Sequence, residues 1–376
     1  MSTDSFPTLP PAARVGDPLE RIDTPALVLD LDAFERNLDL MQAKARAAGV
    51  ALRPHAKAHK TPQVALAQIA RGAVGICCQK VSEALPFLEA GVTDIHISNE
   101  VVGAAKLALL AQAARVGRFS VCVDDAGQVA ELAAACAAQG SRVDVFVEIN
   151  VGQDRCGVAG APEVLSILQV ISAHPQQLAF KGLQAYQGRV QHIRSREERR
   201  AAALAASART AAVVAALQAA GIACPVVTGG GSGSVEFELA GGIYNEVQPG
   251  SSAFMDADYG ANEYGDALRF EHSLFVLASV MSRVDERQAI VDAGLKSMSA
   301  ESGLPRVWGR QGVEYAVISD EHGNLRGGAP LPQLGERVLL VPGHCDPTFN
   351  LHDELVCLRG GVVEAIWPVA ARGLSR

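Results

Sequence analysis

A chain of 376 residues is too long for one small core and suits a large barrel with a modest second domain. Hydrophobic residues make up 49% and aromatics 5%, which marks an alanine- and valine-rich globular α/β protein, and a formal charge of −8 without a basic stripe speaks against nucleic-acid binding. Met1 to Pro7 lacks the regions of a secretory signal, no spanning segment is evident, and eight cysteines with an adjacent pair at Cys77 and Cys78 make no disulfide framework, so the expectation is a reduced, soluble, cytoplasmic protein without membrane partners.

Residues 1–20, with Pro7, Pro10, Pro11 and Pro18, read as an irregular arm. Ala26 to Leu29 is strand-like, and Asp32 is placed to cap a helix from Ala33 to Ala48 that Gly49 closes. From there apolar runs alternate with alanine-rich helical ones at βα spacing. The strand candidates are 50–54, 74–78, 94–98, 119–123, 143–150, 179–184, 224–228 and 244–248. The clearest helix starts at Ser195, where Ser with Glu198 three later forms a capping-box pattern. Eight such units predict a closed (β/α)8, TIM-like barrel over 25–265, with functional residues at the carboxyl ends of its strands. Past about residue 266 the texture changes to strand runs at 274–280, 289–292, 315–318, 337–341, 354–358 and 362–365. These predict a mostly β domain over 266–376, joined by the N-terminal segment 1–24.

Candidate residues follow the barrel strands. Lys57 lies beyond the first, in Val50-Ala-Leu-Arg-Pro-His-Ala-Lys57-Ala-His-Lys60. Were the strand to continue, His55, Lys57 and His59 would share a face, and cationic or desolvating neighbours would favour the neutral amine that attacks an aldehyde. Taken alone the segment fits a surface lysine equally well; two distant motifs break the tie. One is Thr228-Gly-Gly-Gly-Ser-Gly-Ser234, which lacks the lysine of a P-loop and the spacing of a dinucleotide site. With the turn Gln248-Pro-Gly-Ser-Ser252 it offers backbone amides to one phosphate. A lysine able to hold an aldehyde plus a phosphate cup suggests pyridoxal phosphate. The other motif is Pro342-Gly-His344-Cys-Asp346, following an apolar strand. His and Asp at i, i+2 can face one way and hold Mn²⁺, Mg²⁺ or a labile Zn²⁺, with Cys345 turned the other way into packing. Such a short pattern is common by chance. Among the remaining polar residues, His59 and His352 read as neighbours, Glu83 and Asp125 as helix caps, and Cys77, Cys78 and Cys156 as core.

The segments Arg53-Pro-His-Ala-Lys57-Ala-His-Lys, Gly75 to Glu83, Asn150-Val-Gly-Gln-Asp-Arg155, Gln184-Ala-Tyr-Gln-Gly, Thr228 to Ser234, Phe254-Met-Asp-Ala-Asp-Tyr259 and Pro342 to Thr348 together resemble the D-threonine aldolases. These belong to the alanine-racemase-like (fold type III) pyridoxal-phosphate enzymes, alongside D-serine dehydratases and 3-hydroxy-D-aspartate aldolases. The likeness spans nearly all of the chain after residue 20. It implies that Lys57 carries the cofactor aldehyde, that Arg155 lies near the cofactor's phenolic oxygen, and that His192 is the base near the substrate hydroxyl. Gln79, Tyr186, Thr228, Gly231, Ser232, Gly233, Gly250, Ser251 and Tyr259 are the further implied cofactor contacts. His344 and Asp346 are implied to bind a divalent metal, Mn²⁺ first, with Mg²⁺, Co²⁺ or Zn²⁺ as alternatives. The implied reaction cleaves D-β-hydroxy-α-amino acids, D-threonine giving glycine and acetaldehyde, in a homodimer. D-serine dehydratases of this group carry His-x-Cys where this chain has His344-x-Asp346, which leans towards an aldolase. Many threonine aldolases have His where this chain has Gln187, which leaves 3-hydroxy-D-aspartate, cleaved to glycine and glyoxylate, as the alternative substrate. A racemase would need a second base opposite the lysine, for which no motif is found, and a cofactor carrier would be a barrel alone.

Overall fold

Eight parallel strands form the first sheet, in the order Ala51–Leu52, Glu246–Val247, Val226–Gly229, Leu178–Ala185, Val143–Glu148, Arg118–Val123, Asp94–Glu100 and Ile76–Cys78. The computed structural model describes residues 9–265, 268–328 and 330–376; residues 1–8 of the arm and the expected boundary residue Asp266 lie outside them. The ends of the sheet meet where His55 bridges Cys77, with the Cys77 amide donating to Pro54 O (2.8 Å) and that of Val74 to Leu52 O (2.9 Å). The sheet thus curls back on itself, and each strand falls on one of the eight candidate runs. The helix-covered face is apolar, with Ile95, Ile97, Phe119, Val121, Val145, Val147 and Leu183 side by side, whereas the opposite face carries the buried polar groups of His96, Ser120, Glu148 and Gln184. Burying each such side chain is worth about 1.5–3 kcal/mol. One crossover, the helix Arg196–Ala219, is long and apolar enough to cross a bilayer by length and composition, yet here it links two neighbouring barrel strands.

The caps are mostly those the sequence suggests. Asp125 accepts from the amides of Gly127 (2.7 Å) and Gln128 (3.2 Å), Glu83 from those of Gln79 (2.9 Å) and Lys80 (3.1 Å), and Ser195 from that of Glu198 (3.4 Å). The first long helix is a correction. It runs Leu31–Ala47 and is capped by Asp30, which accepts from the Ala33 amide (3.1 Å). Asp32 is inside the helix and pairs with Arg359 (2.5 Å).

The second sheet is built around Leu274–Arg283, which pairs antiparallel with Ala26–Asp30, Gln288–Val291 and Arg337–Val341. The strand Ala26–Asp30, which the sequence reading put at the start of the barrel region, therefore sits in the β domain, with Glu354–Arg359 parallel on its other side. Alternation explains its sequence: Leu27 and Leu29 enter one core, Ala26 and Val28 another on the opposite face. The arm runs along the edge, with the Gly16 amide on Val363 O (2.8 Å) and that of Leu19 on Gly361 O (2.9 Å).

The two units meet at residues 253–258, just past the last barrel strand. Phe254 stacks on Phe34 (5.8 Å), touches Phe349 edge-on (4.9 Å) and lies 6.0 Å from the His59 ring. The amides of Ala257 and Asp258 donate to Pro342 O (2.9 Å) and Gly343 O (3.2 Å), and that of Cys345 to Asp256 Oδ2 (2.9 Å). These bonds fasten the 342–346 turn to the barrel rim.

Candidate active site

A cleft opens between the carboxyl ends of the barrel strands and that turn. It is lined by Lys57, Gln79, Arg155, Tyr186, His192, Gly231, Ser232, Gly250, Ser251, Tyr259, His344 and Asp346, all singled out from sequence, and by His55, Ser98, Gln184 and Gln248. Thr228 and Gly233 do not line it. The Thr228 hydroxyl accepts from Gln248 Nε2 (2.9 Å), and the Gly233 amide donates to Gln191 Oε1 (2.9 Å). A Cβ on Gly233 would lie 2.3 Å from Gln191 O, so this glycine serves close packing of the turn.

Lys57 is not on a strand. Pairing stops at Leu52, Pro54 brings no amide to the ladder, and Ala56–Ala58 forms a 3-10 turn with His55 as its cap, accepting the Lys57 amide at Nδ1 (3.3 Å). The expected shared face is therefore absent. His55 turns to the floor, where Nε2 meets Ser98 Oγ (2.9 Å); since Nδ1 accepts, Nε2 carries the hydrogen and donates. Burial, with Lys57 alongside, holds His55 well below the usual histidine range. His59 is sealed beneath the turn, accepts the Thr61 amide (3.1 Å) and is pushed down to about 3 by burial. Both rings are neutral. Lys57 Nζ has no hydrogen-bonding or ionic partner among the described residues. Lys60, three residues on, is buried and spent on Glu83 (2.9 Å).

Two turns line the cleft with Lys57, the second packed so closely on the Lys57 turn that a Cβ on Gly250 would lie 2.9 Å from His55 O. The Ser252 amide is taken by Ser232 Oγ (2.8 Å), while the amides of Ser232 and Ser251 have no partner among the described residues. Unengaged amides beside two serines fit a phosphate. The floor is a buried amide pair: Gln248 Nε2 donates to Gln184 Oε1 (2.9 Å) and Gln184 Nε2 to Gln248 Oε1 (3.2 Å). Arg155, on the loop after Val143–Glu148, lies over the Tyr186 ring at 5.7 Å.

His192 ends the short 3-10 segment Arg189–His192 and leans on Tyr259, with ring centroids 5.6 Å apart. Its Nδ1 meets Asp258 Oδ2 at 2.5 Å, and the other carboxylate oxygen is held by Arg194. Burial would raise Asp258, but the bonds from His192 and Arg194 outweigh it and keep the carboxyl below its ordinary value. Since the carboxylate can only accept, Nδ1 carries the hydrogen and Nε2 keeps a free lone pair.

His344 and Asp346 do converge, but not through an extended chain. His344 is the N-cap of the short helix Cys345–Phe349, which brings Nε2 to 3.8 Å from Asp346 Oδ1 and buries Cys345. Burial lowers His344, but Asp346 and Glu301 more than offset it, so its pKa is raised. An imidazole nitrogen and a carboxylate oxygen fit a divalent cation that keeps open positions, while the buried Cys345 stays a thiol and donates to Asp346 Oδ1 (3.3 Å). No group of three or more His, Cys, Asp or Glu placed to hold a metal occurs among the described residues; His344 and Asp346 stand as a pair.

Ser98, Gln184 and Gln248 were passed over although each stands at the end of a candidate strand, so the rule that selected Lys57 reaches them too. Asp258 and Glu301 carry no such mark: they lie 66 and 43 residues from the histidines they touch.

A family model described as the alanine racemase N-terminal domain matches residues 29–258, and one described as a putative serine dehydratase domain matches residues 273–358. The chain is 57% identical over 370 residues to a D-threonine aldolase of Arthrobacter sp., covering 98% of this chain and 97% of that one. It is 47% identical over 359 residues to a 3-hydroxy-D-aspartate aldolase of Paracoccus denitrificans, covering 94% and 92%. The crystal structure of D-threonine aldolase from Filomicrobium marinum matches with a TM-score of 0.95 at 50% identity, covering 97% of this chain and all of the other. With this sequence and this pair of sheets, the chain belongs to the alanine-racemase-like enzymes, in the D-threonine aldolase family of carbon–carbon lyases.

Proposed function

We propose that the protein cleaves D-β-hydroxy-α-amino acids with pyridoxal phosphate and a divalent metal, D-threonine giving glycine and acetaldehyde. The observation that carries this reading is the meeting of three things in one cleft: the unpartnered amine of Lys57, the His192 ring and the His344–Asp346 pair. Lys57 would hold the cofactor aldehyde and the Ser232 and Ser251 amides its phosphate. When bound, the cofactor supplies a sink for the electrons of the Cα–Cβ bond. A metal on His344 and Asp346 would supply a Lewis acid that lowers the pKa of the β-hydroxyl.

The chain's own groups do the rest. His192 Nε2, with its lone pair free, takes the hydroxyl proton as the carbonyl forms. Asp258 keeps that ring in the tautomer and orientation the transfer needs. Arg155, held on Tyr186, places a cation at the rim, while neutral His55 and His59 put no positive charge beneath the Lys57 turn.

The alternative substrate is 3-hydroxy-D-aspartate, supported by the Paracoccus relative. D-threonine is favoured because the described lining holds one guanidinium, Arg155, and no second one to meet a β-carboxylate. Mn²⁺ is the favoured metal, with Mg²⁺, Co²⁺ or Zn²⁺ as alternatives. A homodimer and a cytoplasmic location complete the proposal; the eight free thiols are in keeping with the latter.

The test is an assay of D-threonine, D-3-hydroxyaspartate and D-serine with and without EDTA. Glycine should form fastest from D-threonine, cease with EDTA and return with Mn²⁺. Keto acid in place of glycine would make the enzyme a dehydratase, and undiminished turnover in EDTA would remove the metal.

A further inference from the structure

His344 is gripped from behind as well as in front. Its Nε2 faces Asp346, while its Nδ1 lies against a carboxylate oxygen of Glu301, a residue of the turn at 299–303. A carboxylate accepts only, so the ring hydrogen resides on Nδ1 and the Nε2 lone pair points to where Asp346 contributes its oxygen.

That turn is built to stay there. Ser302 Oγ donates to the second Glu301 oxygen (2.6 Å). The Ser299 amide donates to Thr348 Oγ1 (3.1 Å), and Thr348 Oγ1 donates to His344 O (2.7 Å), which ties the turn to the helix that His344 caps. The approach is so close that a Cβ on Gly343 would lie 2.0 Å from Gly303 O and 3.3 Å from Ser299 O. Only glycine lets the two turns lie together. Glu301 is 56% exposed, so its attraction for a charged partner is worth little by itself. What it contributes is tautomer and direction.

We propose that Glu301 is the positioning residue of the metal centre: without touching the cation, it orients His344 and sets how tightly a divalent metal is held. This rests on the metal reading given under Proposed function. A carboxylate behind a ligating imidazole fixes the ring and makes its lone pair a better donor, and losing one costs about 10–100-fold in metal affinity.

The experiment is equilibrium dialysis of the cofactor-loaded enzyme against Mn²⁺, with bound metal measured by mass spectrometry. Four proteins are compared: wild type, Glu301→Ala, Glu301→Gln and His344→Ala. Glu301→Ala should bind Mn²⁺ about 10–100-fold more weakly, with the visible absorbance of the cofactor and the metal-free melting temperature kept. The Mn²⁺ concentration giving half-maximal cleavage of D-threonine should rise by the same factor. Glu301→Gln still offers Nδ1 an acceptor and should fall between the two. If Glu301→Ala matches wild type while His344→Ala loses the metal, the positioning role is refuted. If His344→Ala itself binds Mn²⁺ like wild type, the metal site is elsewhere and the reading beneath the proposal goes with it.

Discussion

His192 and Lys57 are half-described by their types; their neighbours supply the rest. In the proposed reading His192 is a directed base only because Asp258, carried on a segment 66 residues away, accepts the hydrogen bond from its Nδ1–H. Asp258→Asn keeps an acceptor but loses the charge that stabilises the protonated ring. We expect kcat on D-threonine to fall about tenfold, against about 10²–10⁴-fold for His192→Ala, with Mn²⁺ affinity and cofactor absorbance unchanged in both. Steady-state kinetics with metal titration checks this; a loss of metal binding in Asp258→Asn would mean that the segment, not the charge, was disturbed. Lys57 was legible by type and place, but its partnership was not. The strand pattern placed His55 and His59 beside the amine, whereas the turn after Pro54 sends one to the floor and one beneath. Local sequence gives the period of a strand but not where tertiary bonds end it.

Among the elements, the strands and helices of the barrel were the most legible, because alternating apolar runs and alanine-rich stretches repeat there eight times. The helix Val235–Gly241 behind the glycine turn carries a feature no pattern reveals. Glu238 is buried with its carboxyl against Gly230, and burial pushes its pKa from 4.5 up to about 7. One carboxylate oxygen, Oε2, has no partner among the described residues. The folded protein therefore binds a proton here that the unfolded chain releases near pH 4.5. Its contribution is fully present below that pH and is lost as pH rises through about 7, so stability declines across this window. Glu238→Gln should be the more stable protein at pH 8.5, by roughly 3 kcal/mol from the size of the shift, and about equal to wild type at pH 5. Thermal unfolding at the two pH values measures it; a gain equal at both would point to packing instead.

On the scale of the molecule, the sequence marked two units but misassigned the strand that joins them. Ala26–Asp30 precedes the barrel in the chain yet completes the β sheet, since pairing with Leu274–Arg283 is a contact of about 250 residues' separation that no local window contains. The last residues make a second tie. The Ala371 amide donates to Lys60 O (3.0 Å), Lys60 Nζ to Ser375 Oγ (3.3 Å), and Ser82 Oγ to Arg376 O (2.5 Å). They strap the β domain to the segment that bears Lys57. Removing residues 371–376 should cost about 1–3 kcal/mol, at about 1 kcal/mol for each bond lost, and should hasten release of pyridoxal phosphate. Urea unfolding and the decay of cofactor absorbance after gel filtration test both; an unchanged release rate would make the strap a passive one.

The fastening of the 342–346 turn to residues 256–258, together with the packing of Phe254 against Phe349, has a thermodynamic side. A cation between His344 and Asp346 and a cofactor at Lys57 would sit in one cleft, on the helix Cys345–Phe349 and the turn that lies against it. Linkage then makes their affinities reciprocal: the factor by which metal tightens the cofactor is the factor by which cofactor tightens the metal. A dissociation constant for either would be a property of the pair, defined only at a stated occupancy of the other.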